Sequence, residues 1–294
     1  MAKIAESELV INPDGSVYHL NLRPEDIATN IITVGDPGRV PMVSKYFDEI
    51  EVKKEKREFV THTGKIGKKR ITVISTGIGP DNIDITINEL DALANIDFGS
   101  REPRAELTSL NIVRIGTSGS LHPEVPVDSF VASTYGLGLD NLLNFYDYKP
   151  NLGEASLEDE LNAFLEYTGR LPFYVCEGNS VLLDALGQGK TQGITLTSPG
   201  FYAPQGRELR AKARYDARFF QSLAKFRFRD YTITNFEMET SAIYGLSRLL
   251  GHRALSTNVI IANRPNGKFS KDPYKAVDAL IQDVLSLISS SPLF

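Results

Sequence analysis

Cysteine, tryptophan, methionine and histidine are all scarce in this 294-residue chain, which has one, none, three and four of them. The single thiol, Cys176, excludes an intramolecular disulfide framework. Three of the histidines, His62, His122 and His252, form no metal-ligand spacing. Basic charge is not in excess either. Lys and Arg number 32 against 37 Asp and Glu, a formal charge of -5, so neither nucleic acid nor an anionic membrane is expected as a partner. No apolar run approaches membrane-spanning length. The start MAKIAESELV lacks the basic and apolar regions of a secretory signal, which makes the cytoplasm the expected compartment.

Hydrophobic residues make up 41% and charged residues 23%, with 23 glycines and 15 prolines, which excludes disordered and fibrous classes. The length suits one large α/β core, no linker or internal repeat divides the chain, and a single domain over 1–294 is expected. Short β-branched runs recur at NIITVG (30–35), RITVIS (70–75), NIVRIG (111–116), SFVAST (129–134), GITLTS (193–198), YTITNF (231–236) and LSTNVIIA (255–262). Each predicts a buried strand. Ile83, Ile87, Leu90 and Ala94 share one helical face after GPDN, and Ala242, Leu246 and Leu249 share another after EMET. Ala276, Leu280, Val284 and Leu287 form the stripe of a closing amphipathic helix. Helices alternating with strands make the fold α/β. The charge-dense EVKKEKREF (51–59) and GKIGKKR (64–70) predict two strand ends around a solvated turn at Gly64. The polar DFGSREPRAELTSL (97–110) predicts an inserted surface loop.

Three glycine-bearing turns follow predicted strands: VGDPGR (34–39), STGIGPDN (75–82) and RIGTSGS (114–120). Glycine allows close backbone approach, and a helix starting after such a turn offers free N–H groups to an anion. Arg39 follows the first turn. Arg114 lies inside an apolar run, where an unpaired guanidinium is costly, so it should meet a carboxylate or a bound oxyanion. Thr117 and Ser118 add hydroxyl donors. The alternative is that each turn only connects a strand to a helix and Arg114 sits in a structural ion pair.

These motifs, with NFEMET (235–240), occur in the order seen in the uridine phosphorylases and their purine relatives, and from about His19 to the last helix the chain resembles the nucleoside phosphorylase superfamily. The resemblance implies a three-layer α/β/α fold with a central mixed sheet. It implies that Gly35, Arg39, Arg114 and Thr117 hold phosphate, with Arg57 of KREF acting across a dimer interface. His19 of VYHLNL is implied to bind the ribose 5′-hydroxyl of a neighbour's site, although a lone histidine is more often an ordinary surface or core residue. Self-association as a dimer or hexamer follows. A monovalent cation such as K+ at a dimer interface falls on Glu58 and Ser75, and otherwise no cofactor is implied beyond inorganic phosphate as co-substrate.

In TITNFEMETSAIYGL (232–246), Glu237 and Glu239 flank Met238 where a strand turns into a helix. A carboxylate can accept hydrogen bonds from both vicinal hydroxyls of ribose, and methionine offers a flexible apolar surface. The resemblance implies Met238 and Glu239 as sugar ligands and Glu237 as support for the site. A structural alternative has Glu239 capping the following helix. In SPGFYAPQGR (198–207), Phe201 and Tyr202 supply flat surfaces, and Gln205 with Arg207 complements the O2, N3–H and O4 edge of uracil. Taken alone, QGRELRAKAR would only open a basic helix. Purine enzymes of this group carry an aspartate after the last strand, whereas VIIANRPNG (259–267) has Asn263 and Arg264, and Arg264 is implied as a helper for the uracil carbonyl. The expected reaction is phosphorolysis of uridine in pyrimidine salvage, with 2′-deoxyuridine and thymidine left open. Arg114, Gln205, Arg207 and Arg264 would carry the catalysis. The rivals are a purine nucleoside phosphorylase, a hydrolytic nucleosidase and a non-catalytic nucleoside binder.

Overall fold

The computed structural model describes residues 3–166 and 171–294. Its strands are β1 (Asn30–Val34), β2 (Glu49–Lys56), β3 (Phe59–Ile66), β4 (Lys69–Ser75), β5 (Ile96–Asp97), β6 (Glu102–Pro103), β7 (Asn111–Ser120), β8 (Phe130–Gly138), β9 (Tyr174–Glu177), β10 (Thr191–Thr197), β11 (Arg227–Phe228), β12 (Tyr231–Glu237), β13 (Arg253–Asn263) and β14 (Lys268–Phe269). The helices are α1 (Arg39–Ser44), α2 (Pro80–Asn95), α3 (Leu152–Glu166), α4 (Ser180–Leu186), α5 (Ala217–Leu223), α6 (Thr240–Leu249) and α7 (Pro273–Ser290).

The sheet runs β11-β12-β10-β8-β13-β7-β1-β4-β3-β2, with parallel and antiparallel neighbours mixed. β13 runs parallel to β7 but antiparallel to β8. A further antiparallel pairing, Asn235 with Ser120 and Phe236 with Gly119, joins β12 back to β7. It closes β7, β13, β8, β10 and β12 into a ring and draws the ends of β7 and β12 together, which is what places Arg114 near Glu237.

The predicted strands are apolar runs because both sheet faces are covered. Side chains alternate between two layers: Ile31, Ile74 and Ile112 pack with α2, α6 and the segment 17–27, while Ile32, Val73, Val113 and Leu255 pack under α4 and α7. Each fully buried aliphatic side chain of this kind contributes about 1.5–3 kcal/mol. A third cluster joins α3 and α5 to Leu137, Val175, Leu196 and Ile233. α7 starts at Pro273, and the Asp272 carboxylate accepts the Lys275 N–H at 3.0 Å, so proline and cap fix its first turn.

Two local expectations change and a third gains detail. Gly64 is not a turn: it lies inside β3, opposite Ile50, where a Cβ would stand 2.1 Å from the Glu49 carbonyl oxygen. The turns fall instead at Arg57–Glu58 and Gly67–Lys68, so close strand approach rather than chain reversal requires that glycine. Leu249 is exposed, because α6 ends there and its stripe has passed the edge of the packed layer. Residues 97–110 lie mostly at the surface and contain the small β5-β6 ribbon, and the Arg101 side chain donates to the carbonyls of Ile4, Ala5 and Leu9.

Candidate active site

Arg114 is the buried centre of the site. Its Nη2 lies 2.5 Å from Glu239 Oε2 and 3.1 Å from Glu237 Oε2, and its Nη1 donates to Asn258 Oδ1 at 2.6 Å. Burial works against its charge, but the two carboxylates outweigh that and hold the guanidinium above its usual pKa. The structural ion pair considered above is therefore present, and the same guanidinium also lines a cavity of about 750 Å³. Burial raises Glu239 above the usual carboxylate range, against the pull of Arg114, with Glu237 adding to the rise.

The two glutamates divide the work of the strand-to-helix turn. Glu237 accepts from the Thr197 hydroxyl at 2.9 Å and from the N–H groups of Glu239 and Thr240 at 2.9 and 3.0 Å. It holds the first turn of α6, so the capping role weighed for Glu239 belongs to Glu237. The Glu239 side chain makes no cap bond; its Oε1 accepts the Gly79 N–H at 2.9 Å, tying the second glycine turn to α6.

Gly35, Arg39, Thr117, Met238 and Glu239 all line the cavity with Arg114. Arg39 donates to the Ile115 carbonyl at 3.2 Å, and burial, followed by the nearby Arg114, lowers its pKa. Phe201, Gln205 and Arg207 line it too. The 3-10 turn Ala203–Gln205 leads into an irregular stretch as far as the Asp216 cap of α5, so QGRELRAKAR does not open a helix. The Arg207 guanidinium stacks 3.8 Å from the Phe201 ring and 5.6 Å from Phe236, and donates to the Phe201 carbonyl and to Gln205 Oε1. Burial first and Arg264 second pull its pKa down to about 10.

Arg264 does not line this cavity. Its guanidinium stands 5.4 Å from the Phe236 ring, the second cation against that ring, and donates to the Gln205 carbonyl at 3.2 Å, so it braces the turn that carries Gln205. Asn263 is occupied, donating to the carbonyls of His122 and Val125 at 2.8 Å.

His19 and Arg57 also lie outside the cavity. His19 Nδ1 is 2.6 Å from Glu89 Oε1, and Tyr18 beside it has Arg57 5.8 Å from its ring, so the two residues expected to act across an interface share one surface patch. Glu58 lines the cavity, but the buried Ser75 hydroxyl donates to the Glu58 carbonyl at 2.5 Å and accepts the Val60 N–H at 2.8 Å. Both polar functions of the Ser75 hydroxyl are thus engaged inside its own protomer. No group of three or more His, Cys, Asp or Glu able to hold a metal occurs among the described residues.

Sequence reasoning missed Asn258, Phe236 and Phe269. Asn258 is a fully buried amide in an apolar strand, and that mismatch is itself the signal of a polar partner. Phe236 reads as core from its strand, and only the fold puts it under two guanidiniums. Phe269, on the two-residue strand β14, lines the cavity and is exposed.

The chain is 28% identical over 287 residues to the uridine phosphorylase of Thermococcus kodakarensis, covering 98% of this chain and 92% of that protein. It is 29% identical to the uridine phosphorylase of Haemophilus influenzae, with 93% and 99% covered. Among solved structures, a Trypanosoma brucei nucleoside phosphorylase described as showing uridine phosphorylase activity superposes with a TM-score of 0.86 at 27% identity, covering 96% of this chain and all of that one. The model of the phosphorylase superfamily matches residues 29–288, and with the layered fold and the arginine-lined cavity this places the chain in that superfamily.

Proposed function

We infer that the chain is a uridine phosphorylase, cleaving uridine reversibly with phosphate to uracil and ribose 1-phosphate. The observation that carries this reading is one cavity lined both by Arg39 and Arg114 and by Gln205 with Arg207, whose guanidinium stacks on Phe201, with Glu239 and Met238 in the same wall. Anion, sugar and base each have a chemically matched surface there.

Glycosidic cleavage passes through an oxocarbenium-like state, which a phosphate dianion held by Arg39, Arg114 and Thr117 stabilises and then captures. Fixing that nucleophile against the sugar is worth roughly 7–11 kcal/mol of barrier. Uracil departs carrying negative charge. Gln205 and Arg207 meet that charge, and Arg264 holds the Gln205 turn in place and adds positive potential. No acid is needed on the base, in keeping with Asn263 and Arg264 where purine enzymes carry an aspartate. Glu239 accepts from the ribose hydroxyls while keeping its bond to Arg114, so the sugar and phosphate sites share one side chain.

His19 and Arg57 complete a neighbouring copy's site, which makes a dimer the smallest active unit; their common patch around Tyr18 supports this. The test is chromatographic release of free base from uridine and inosine in parallel, in phosphate buffer. Release from uridine well above that from inosine is expected. Preference for inosine would overturn the assignment of Gln205 and Arg207.

A further inference from the structure

We propose that Asn258 is a positioning residue for the anion site: it fixes the plane of the Arg114 guanidinium without adding charge. This rests on the reading that Arg114 binds the phosphate nucleophile. Arg114 and Gly116 lie on the same face of β7, and Asn258 of β13 is the cross-strand partner of Gly116. The guanidinium folds back over its own strand. A Cβ at Gly116 would stand 1.7 Å from Arg114 Nη1 and 2.6 Å from Asn258 Oδ1, so the bare glycine backbone is the floor on which arginine and amide meet.

Asn258 is in turn held. Its Nδ2 donates to Ser256 Oγ at 3.2 Å, Ser256 Oγ also accepts from the Thr240 hydroxyl at 2.8 Å, and the Thr240 N–H donates to Glu237. Glu237 then returns to Arg114 at 3.1 Å. The hydrogen bonds form a closed ring, Arg114 to Asn258 to Ser256 to Thr240 to Glu237 and back, linking β7, β13, the end of β12 and the start of α6. Every member is buried.

The chemistry of position 258 follows from charge. Arg39 and Arg114 supply two positive charges, and Glu237 and Glu239 supply two negative ones. The arriving phosphate is a dianion. The acceptor on Nη1 is therefore best neutral, because a carboxylate there would add to Glu237, Glu239, Asp36 and Glu58 already around the cavity and oppose the entering dianion. An amide oxygen meets that requirement, and its second function, the N–H, anchors it to Ser256. The nucleoside ligands Gln205 and Arg207 lie outside the ring, so position 258 should govern phosphate and not base.

The test uses N258D and N258A beside wild type, with KM for phosphate and for uridine measured separately and folding checked by thermal melting. The aspartate keeps shape and acceptor but adds charge; the alanine removes the acceptor. Both are expected to raise KM for phosphate tenfold or more while KM for uridine stays within threefold. For N258D the deficit relative to wild type should shrink as pH falls and the new carboxyl is protonated. If N258D does not fold, N258A decides. A folded variant with wild-type KM for phosphate, or a parallel rise in both constants, would overturn the proposal. A wild type that releases no uracil in response to phosphate would instead sink the functional reading beneath it.

Discussion

Gly116→Ala is the smallest perturbation with a large calculable effect. The glycine does not need a special backbone conformation, and in a strand interior alanine would ordinarily gain roughly 0.5–1 kcal/mol. Here the new methyl would occupy the place of the guanidinium, 1.7 Å from Nη1 and 2.4 Å from Cζ of Arg114. It also crowds Asn258 Oδ1 at 2.6 Å, but the severest clash is with Arg114, whose departure strips Glu237 and Glu239 of the guanidinium they both hold. Breaking a buried ion pair in this way costs about 3–5 kcal/mol. At about 2.1 cal/mol/K per residue, unfolding entropy for a chain this long is ~0.6 kcal/mol/K, so the melting temperature should fall by about 5–8 °C. Phosphate affinity should fall with it. Scanning calorimetry and phosphate titration of initial rates give both numbers. A variant melting within ~1 °C of wild type, with unchanged phosphate KM, would refute the seat assigned to Arg114.

Arg207→Ala removes the cation stacked on Phe201 and should lower kcat with uridine by roughly 10²–10³, the loss typical of one donor to a developing anion, with KM for phosphate unchanged in steady-state kinetics. Glu239→Gln keeps an acceptor but removes a charge, so KM for uridine should rise about tenfold while KM for phosphate falls or stays level, opposite in sign to a carboxylate at 258. Asp140, held by the Tyr174 hydroxyl at 2.7 Å, is raised above the usual carboxylate range by burial. A raised folded value contributes stability that is present at acid pH and lost as pH rises through it. The melting temperature of Asp140→Asn should accordingly decline less than wild type between pH ~4 and ~7, the span above the unfolded carboxylate value.

The fold was legible wherever one periodicity ran unopposed. The seven strand runs are largely buried, so continuous β-branched sequence was enough, and α7 announced itself by the apolar stripe of Ala276, Leu280, Val284 and Leu287. Gly64 misled because a glycine demanded by strand-to-strand contact looks like one demanded by a turn. The lining of the cavity was legible through its motifs: Arg39, Arg114, Thr117, Gln205, Arg207, Met238 and Glu239 come to one cavity from four stretches of chain. What sequence could not supply was the pairing. That Glu237 rather than Glu239 holds the turn depends on the Thr197 hydroxyl of another strand. That Asn258 meets Arg114 depends on the register of β13 against β7, which local sequence does not encode.

In the proposed reaction phosphate, not water, takes the sugar. Phosphorus NMR of a reaction containing uridine and inorganic phosphate tests it directly. A sugar 1-phosphate resonance should grow in step with uracil, and no uracil should form without phosphate. Uracil released at the same rate in phosphate-free buffer, with free ribose as the product, would contradict it.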